Sequence, residues 1–151
     1  HVAVGTIARL FELKGHDDLL DLAPQLCQKH PNLRFVWVGD GLRRDEFERR
    51  IAAMNLRDRF ILTGLVPPAK IPELTGAMDV LVHPSRREGL ARAIVQGQLA
   101  GCPAIAYDIP AVDHAMEWGT PGRPVPSGRW TCSGWTGSGR DSPSWGWTIP
   151  R

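Results

Sequence analysis

Several absences bound this 151-residue chain before any motif is considered. No apolar run approaches the roughly 20 residues that a membrane-spanning helix needs. The three cysteines, at 27, 102 and 132, are odd in number and lack metal-ligand spacing, which argues against a disulfide framework or a zinc site. Reduced cysteines imply a cytoplasmic protein. Neither sign of charge dominates: 18 Lys and Arg against 16 Asp and Glu give a net charge of +2, with no block of one sign that would suit nucleic acid. There is also no initiator Met and no signal peptide. His1 falls inside a strand pattern, which predicts that an upstream portion is missing.

Leucine is absent from residues 109–151, although all 15 leucines lie before that point. The same 43 residues hold 7 Gly, 6 Pro and five of the six tryptophans, with neither helical nor strand periodicity. The division predicted is a folded domain over 1–108 and an irregular tail over 109–151. A disordered extension, an out-of-frame translation and a Trp-rich carbohydrate-binding surface all remain open for that tail.

Before the break, strand and helix alternate. Strands are predicted at 2–7, 33–38, 60–63, 80–83 and 103–107, with helices at 16–29, 43–54, 68–78 and 90–100. The first helix carries Leu19, Leu22, Ala23 and Leu26 at helical spacing. Gly101 suits a left-handed cap for the last helix. Five strands separated by helices imply right-handed parallel crossovers, hence an α/β fold with a doubly wound, Rossmann-like sheet. Ligands of such folds bind at the carboxyl ends of the strands, so the loops after each strand are where chemistry is expected.

Arg9 and Lys14 follow the first strand and precede a helix. Two cations there either form a diphosphate site, beside free backbone N–H groups, or are simply solvated. Gly39-Asp40-Gly41 begins like a dinucleotide fingerprint, but Arg44 stands at the third glycine position and no acid ends the next strand, which disfavours a nicotinamide cofactor. Its glycines read equally well as a tight turn. Ser85-Arg86-Arg87-Glu88 before an apolar helix reads locally as a capping box. Gln96 lies on that helix, expected on its inner face. His83 ends a buried strand and reads as a satisfied core residue. No Ser-His-acid or Cys-His arrangement emerges, so no nucleophile is assigned.

In combination, Arg9, Lys14, Ser85 to Leu90, Gln96 and Ala100-Gly101-Cys102-Pro103 resemble the nucleotide-sugar-binding half of retaining glycosyltransferases of family 4, whose signature is two glutamates separated by seven residues. The resemblance covers residues 2–108. It implies the C-terminal half of a two-domain GT-B enzyme, truncated here, that transfers a sugar from a nucleoside diphosphate donor to an acceptor hydroxyl with retention. It further implies that Arg9, Lys14 and Glu88 carry the chemistry: the two cations hold the diphosphate and the glutamate contacts the sugar hydroxyls. Gly39, Gly41, Leu65, Val66, Gly89, Leu90, Ala91 and Gln96 would complete the donor site, with no metal and no cofactor besides the donor substrate. Gln96 stands where the second glutamate belongs. An amide keeps one acceptor oxygen for the ribose but loses the charge that strengthens such bonds. The partners implied are the donor and a missing N-terminal acceptor domain, with peripheral membrane attachment of the longer parent left open. The competing readings are a nucleotide-binding module or a truncated fragment without transfer activity, and a sugar-nucleotide epimerase or phosphorylase on the same scaffold.

Overall fold

The structure, a computed structural model, describes residues 1–112 and the strand at 130–133. Strands β1 (Val2–Ile7), β2 (Leu33–Val38), β3 (Phe60–Gly64), β4 (Val80–His83) and β5 (Ala104–Tyr107) run parallel. They alternate with helices α1 (His16–Lys29), α2 (Arg44–Ala53), α3 (Ile71–Gly76) and α4 (Arg92–Leu99). β1 is central, with Val4 opposite Phe35 of β2 on one side and Val80 of β4 on the other. The strand order is β3-β2-β1-β4-β5-β6, where β6 (Trp130–Ser133) pairs antiparallel with β5. The chain therefore winds outward from β1 to β3, returns, and winds outward again from β4. β1 and β4 flank the point where the winding direction reverses, and the crevice that opens there is the usual ligand position in such sheets.

Alternation along the strands sorts the side chains between two cores. Phe35 and Trp37 of β2 join Leu19, Leu20 and Ala23 of α1 and Phe47 and Ile51 of α2 on one face. Val38, Leu81, Ala104 and Ala106 join Ala91 and Ile94 on the other, with Ile71 and Leu74 of α3 packed against them. The first core is aromatic: Phe35 stacks on Phe60 with centroids 4.5 Å apart, and Trp37 meets Phe47 edge-on at 5.4 Å. Burying each such ring stabilises the fold by about 1.5–3 kcal/mol.

The doubly wound parallel sheet expected from the pattern is present, and its strands fall within a residue of the expected bounds. Three expectations need correction. In α1 the buried stripe is His16, Leu19, Leu20, Ala23 and Cys27, whereas Leu22 is exposed; the helix is rotated so that the short Ala23 and Cys27 let it approach the strands. α4 starts at Arg92 rather than at residue 90, with Ala91 as its N-cap. The fold also runs past Asp108: Val112 is fully buried in the second core, its N–H donating to the Ile109 carbonyl at 2.8 Å. Trp130-Thr131-Cys132-Ser133 adds a strand to the sheet where the tail was expected to be irregular. That run of strand-forming residue types lies between Gly128 and Gly134, too short to stand out against its Gly- and Pro-rich surroundings. The other residues of the tail lie outside those described.

Candidate functional site

The loops that follow the strands are stitched together by backbone contacts at the carboxyl edge of the sheet. Leu10 N–H donates to the Asp40 carbonyl, Arg43 N–H to Leu10, and Gly39 N–H to Gly64, at 3.0 to 3.2 Å. This binds the loops after β1, β2 and β3 into one rim. Gly39 has φ of 136°, and a Cβ there would lie 2.2 Å from the Ala8 carbonyl oxygen, so the position requires glycine for both conformation and space. The fingerprint-like Gly39-Asp40-Gly41 is accordingly a close-approach turn. Leu65, exposed, and Val66, half-buried, continue from Gly64 beside it.

The loop after β4 sits on the loop after β1. Arg86 N–H donates to the Leu13 carbonyl at 2.9 Å, and the buried Ser85 hydroxyl lies 3.2 Å from the same oxygen. Gly15, at φ of 70°, passes so close that a Cβ would fall 1.9 Å from the Pro84 carbonyl oxygen. Two segments more than 70 residues apart in sequence are thereby locked across the reversal point. Lys14 Nζ comes to 2.6 Å from Glu88 Oε1, and His83 Nε2 to 3.1 Å from that same oxygen.

Burial works to raise the Glu88 carboxyl, but the hydrogen bond and the charge of Lys14, with the Ser85 hydroxyl nearby, outweigh it. Glu88 is held below the ordinary glutamate range. His83 is 3% exposed, and its burial, helped by the charge of Lys14, lowers its pKa despite the carboxylate beside it. The imidazole is therefore neutral near pH 7. Because Nε2 faces a carboxylate, it carries the ring proton and donates it, which leaves Nδ1 buried without a partner among the described residues.

The remaining expected site residues are distributed around this group. Arg9 is exposed, makes no salt bridge among the described residues, and lies with its guanidinium 4.9 Å above the Phe11 ring. The structure thus unites Lys14 with Glu88 and leaves Arg9 outside that pair. Gly89 and Leu90 are exposed, and the Ala91 side chain is buried. Their three N–H groups have no acceptor among the described residues, and those of the exposed Gly89 and Leu90 are open to a ligand at the entrance to α4. The capping box does not form, since α4 has no side-chain cap and the Ser85 hydroxyl turns toward the Leu13 carbonyl. Gln96 is exposed, not on the inner face. α4 buries Ala93, Ile94 and Gly97, the last so tightly that a Cβ would meet Leu81 at 2.8 Å, and this rotation carries Gln96 away from the sheet.

Sequence reasoning missed His83 as a partner of Glu88. The available signal was a histidine placed directly before the Pro84-Ser85 loop at the end of a strand beside the reversal point. It also missed a second ionic cluster: Asp17 of α1 receives both Nη atoms of Arg43, at 2.5 and 2.9 Å, and Arg50 at 2.5 Å. Arg43 further binds both Glu46 oxygens at 2.7 and 2.8 Å. These groups pair with one another, and Asp17 and Arg43 line an open groove with Glu12 and Arg86. Beneath the cluster His16 is fully buried between Trp37 and Phe47, with neither ring nitrogen hydrogen-bonded among the described residues. Its burial lowers its pKa to about 4.

Residues 3–131 match the family described as glycosyl transferases group 1. Among curated proteins, the chain is 35% identical over 106 residues to a 2-deoxystreptamine glucosyltransferase of Streptomyces kanamyceticus, covering 70% of this chain and 27% of that protein. It is 32% identical over 127 residues to a 2-deoxystreptamine N-acetyl-D-glucosaminyltransferase of Streptomyces fradiae, covering 83% of this chain and 30% of the relative. The chain thus spans under a third of the length of these curated relatives. Among solved structures, it superposes on Anabaena Alr3699/HepE in complex with UDP and glucose with a TM-score of 0.69 and 30% identity, covering 83% of this chain and 35% of that one. It also shares its fold with the C-terminal domain of LpcC, a glycosyl transferase group 1 family protein from Francisella tularensis, at a TM-score of 0.63 and 22% identity, over 73% of this chain and 60% of that one. Among the described residues, no helix is long and apolar enough to cross a membrane.

Proposed function

Because the chain belongs to the glycosyl transferases group 1 family, we propose that it is the donor-binding part of a retaining, family 4 type glycosyltransferase that uses a nucleoside diphosphate sugar. The observation that carries this reading is the Lys14–Glu88 contact of 2.6 Å at the reversal point between β1 and β4. It puts a cation for phosphate and a carboxylate for sugar hydroxyls side by side, at the edge where this fold class binds ligands. The UDP complex of a structural relative 30% identical to this chain supports the same donor class.

In this reading Lys14 and Arg9 face the diphosphate. As the bond between the anomeric carbon and the phosphate oxygen breaks, charge builds on the departing diphosphate, and the two cations stabilise it. The free N–H groups of Gly89, Leu90 and Ala91 add donors at the same end. Glu88, held ionised, accepts from the sugar hydroxyls and fixes the ring. The acceptor hydroxyl attacks on the face the diphosphate leaves, its proton passing to the departing phosphate oxygen, so the configuration is retained. Leu65 and Val66, with Gly39 and Gly41 in the adjoining turn, border the base, and Gln96 takes the ribose. In this reading the acceptor is held by the part of the relatives' length that this chain does not match.

Calorimetry with UDP, GDP and ADP tests the reading. One of the three should bind, and the Arg9→Ala/Lys14→Ala double variant should bind it several kcal/mol more weakly, since each side chain contributes a charge-assisted contact of about 1.5–3 kcal/mol. Equal affinity in parent and double variant would remove the assignment.

A further inference from the structure

We propose that His83 is a positioning residue for the donor sugar: its Nε2–H pins Glu88 Oε1 in the place it shares with Lys14, and so sets which way the carboxylate faces. The inference rests on the donor-site reading above and adds a residue to it. Lys14 alone fixes little, because an ammonium on a four-carbon stem can follow a carboxylate through many orientations. His83 differs in kind. Its ring is 3% exposed, held at the end of β4, and cannot follow Glu88 if the carboxylate turns. The two donors converge on one oxygen, 2.6 Å from Lys14 and 3.1 Å from His83, and this fixes rotation about the last side-chain bond. Oε2 keeps acceptor capacity and is the oxygen turned toward a sugar hydroxyl. Among the described residues the buried Nδ1 has no hydrogen-bond partner, so the polar contact the imidazole makes there is the one to Glu88. The contact to Glu88 is what the side chain provides.

The contact to Glu88 uses Nε2 and not Nδ1, and amide side chains separate the two. Glutamine can place an N–H near the Nε2 position, whereas asparagine reaches only as far as Nδ1. Affinities for UDP-glucose and for UDP are measured by calorimetry on the full chain and on His83→Gln, His83→Asn and His83→Leu, with thermal unfolding midpoints recorded beside them. The readout is the ratio of the two affinities, which isolates the sugar from the nucleotide. It should fall about tenfold in His83→Asn and His83→Leu, the loss expected when a charge-assisted hydrogen bond no longer orients its acceptor, and stay near the parent value in His83→Gln. A merely structural role would track the unfolding midpoint and would not separate Gln from Asn. If His83→Leu fails to fold, the Gln and Asn pair still decides. An unchanged ratio in His83→Asn, or an equal loss in His83→Gln, overturns the inference while leaving the donor site intact. Failure of the parent chain to bind either UDP or UDP-glucose overturns the donor-site reading, and this inference with it.

Discussion

Two charged clusters lie near the N-terminal end of α1, and they differ in how completely their charges are used. In the cluster between α1 and α2, Asp17 spends both oxygens on Arg43 and Arg50, and Arg43 answers with Asp17 and Glu46. In the cluster at the reversal point, Glu88 is engaged through Oε1, Lys14 uses one of its three donor positions on it, and among the described residues Arg9 has the Phe11 ring alone. A cluster whose charges are already paired with one another contributes to folding and has less to offer a ligand. An unsaturated one, placed where the loops of β1 and β4 meet, has charge to give. The difference teaches that salt-bridge count does not locate a site, whereas unused donor capacity at the right place in the topology does.

The sharpest way to break this contrast is to exchange the expected losses. Removing Arg9 and Lys14 together should lower nucleotide affinity by several kcal/mol, and Arg9→Ala alone should move the urea midpoint by no more than about 0.5 kcal/mol of stability, because Arg9 holds no ion pair among the described residues. A large stability loss in Arg9→Ala would place it in the saturated class.

Acid titration should expose the ground beneath the saturated cluster. His16 has its pKa lowered to about 4 in the fold, so below its unfolded value of 6.5 the unfolded chain takes a proton that the folded chain refuses. Stability is therefore full above about pH 6.5 and declines as pH falls toward 4, by about 2.5 kcal/mol between pH 7.5 and 4.5. Urea unfolding at the two pH values should show this loss in the parent and much less of it in His16→Phe. Below pH 4 the depressed carboxyls of Asp17 and Glu88 take over, since their stabilisation is present above the unfolded pKa and is lost as they protonate. A parent curve flat from pH 7.5 to 4.5 would contradict the burial of His16.

Asp17→Ala should cost about 2 kcal/mol, less than a fully buried pair because the groups are partly solvated, and leave nucleotide binding within about twofold. Loss of binding without loss of stability would reverse the roles of the two clusters. The smallest change belongs to Gln96→Glu. On an exposed helical position it should leave stability within about 0.5 kcal/mol and tighten nucleotide binding a fewfold, as a carboxylate replaces an amide opposite the ribose. Weaker or unaltered binding would detach Gln96 from the ribose.

What could be read from the residues divides along the same physical line. Elements set by local pattern were legible: Val2–Ile7, Leu33–Val38 and Val80–His83 alternate or run apolar between turn residues, and α1 lies between Gly15 and Pro31. Placing Arg9, Lys14 and Glu88 at strand ends followed from the same pattern. Contacts decided by the packing of distant segments were not legible. Ser85-Arg86-Arg87-Glu88 has the local form of a capping box, yet its serine is drawn to the carbonyl of Leu13, 72 residues earlier, and α4 begins further on. Helical spacing alone put Leu22 on the inner face of α1, but the fit of Ala23 and Cys27 to the strands turned the helix. His83 read as core because nothing in one dimension shows that Glu88 folds back onto it. Trp130–Ser133 was hidden because a strand of four residues is defined by its neighbour β5, not by its own length.

The central claim is that the reversal point between β1 and β4, not the ion-paired seam between α1 and α2, receives the nucleotide. Titrating the ¹⁵N-labelled chain with UDP and following assigned backbone amides tests it most directly. The account predicts saturable shifts concentrated at Lys14, Gly15 and Glu88 to Ala91. Shifts centred instead on Asp17, Arg43 and Arg50, or none that saturate, would contradict it.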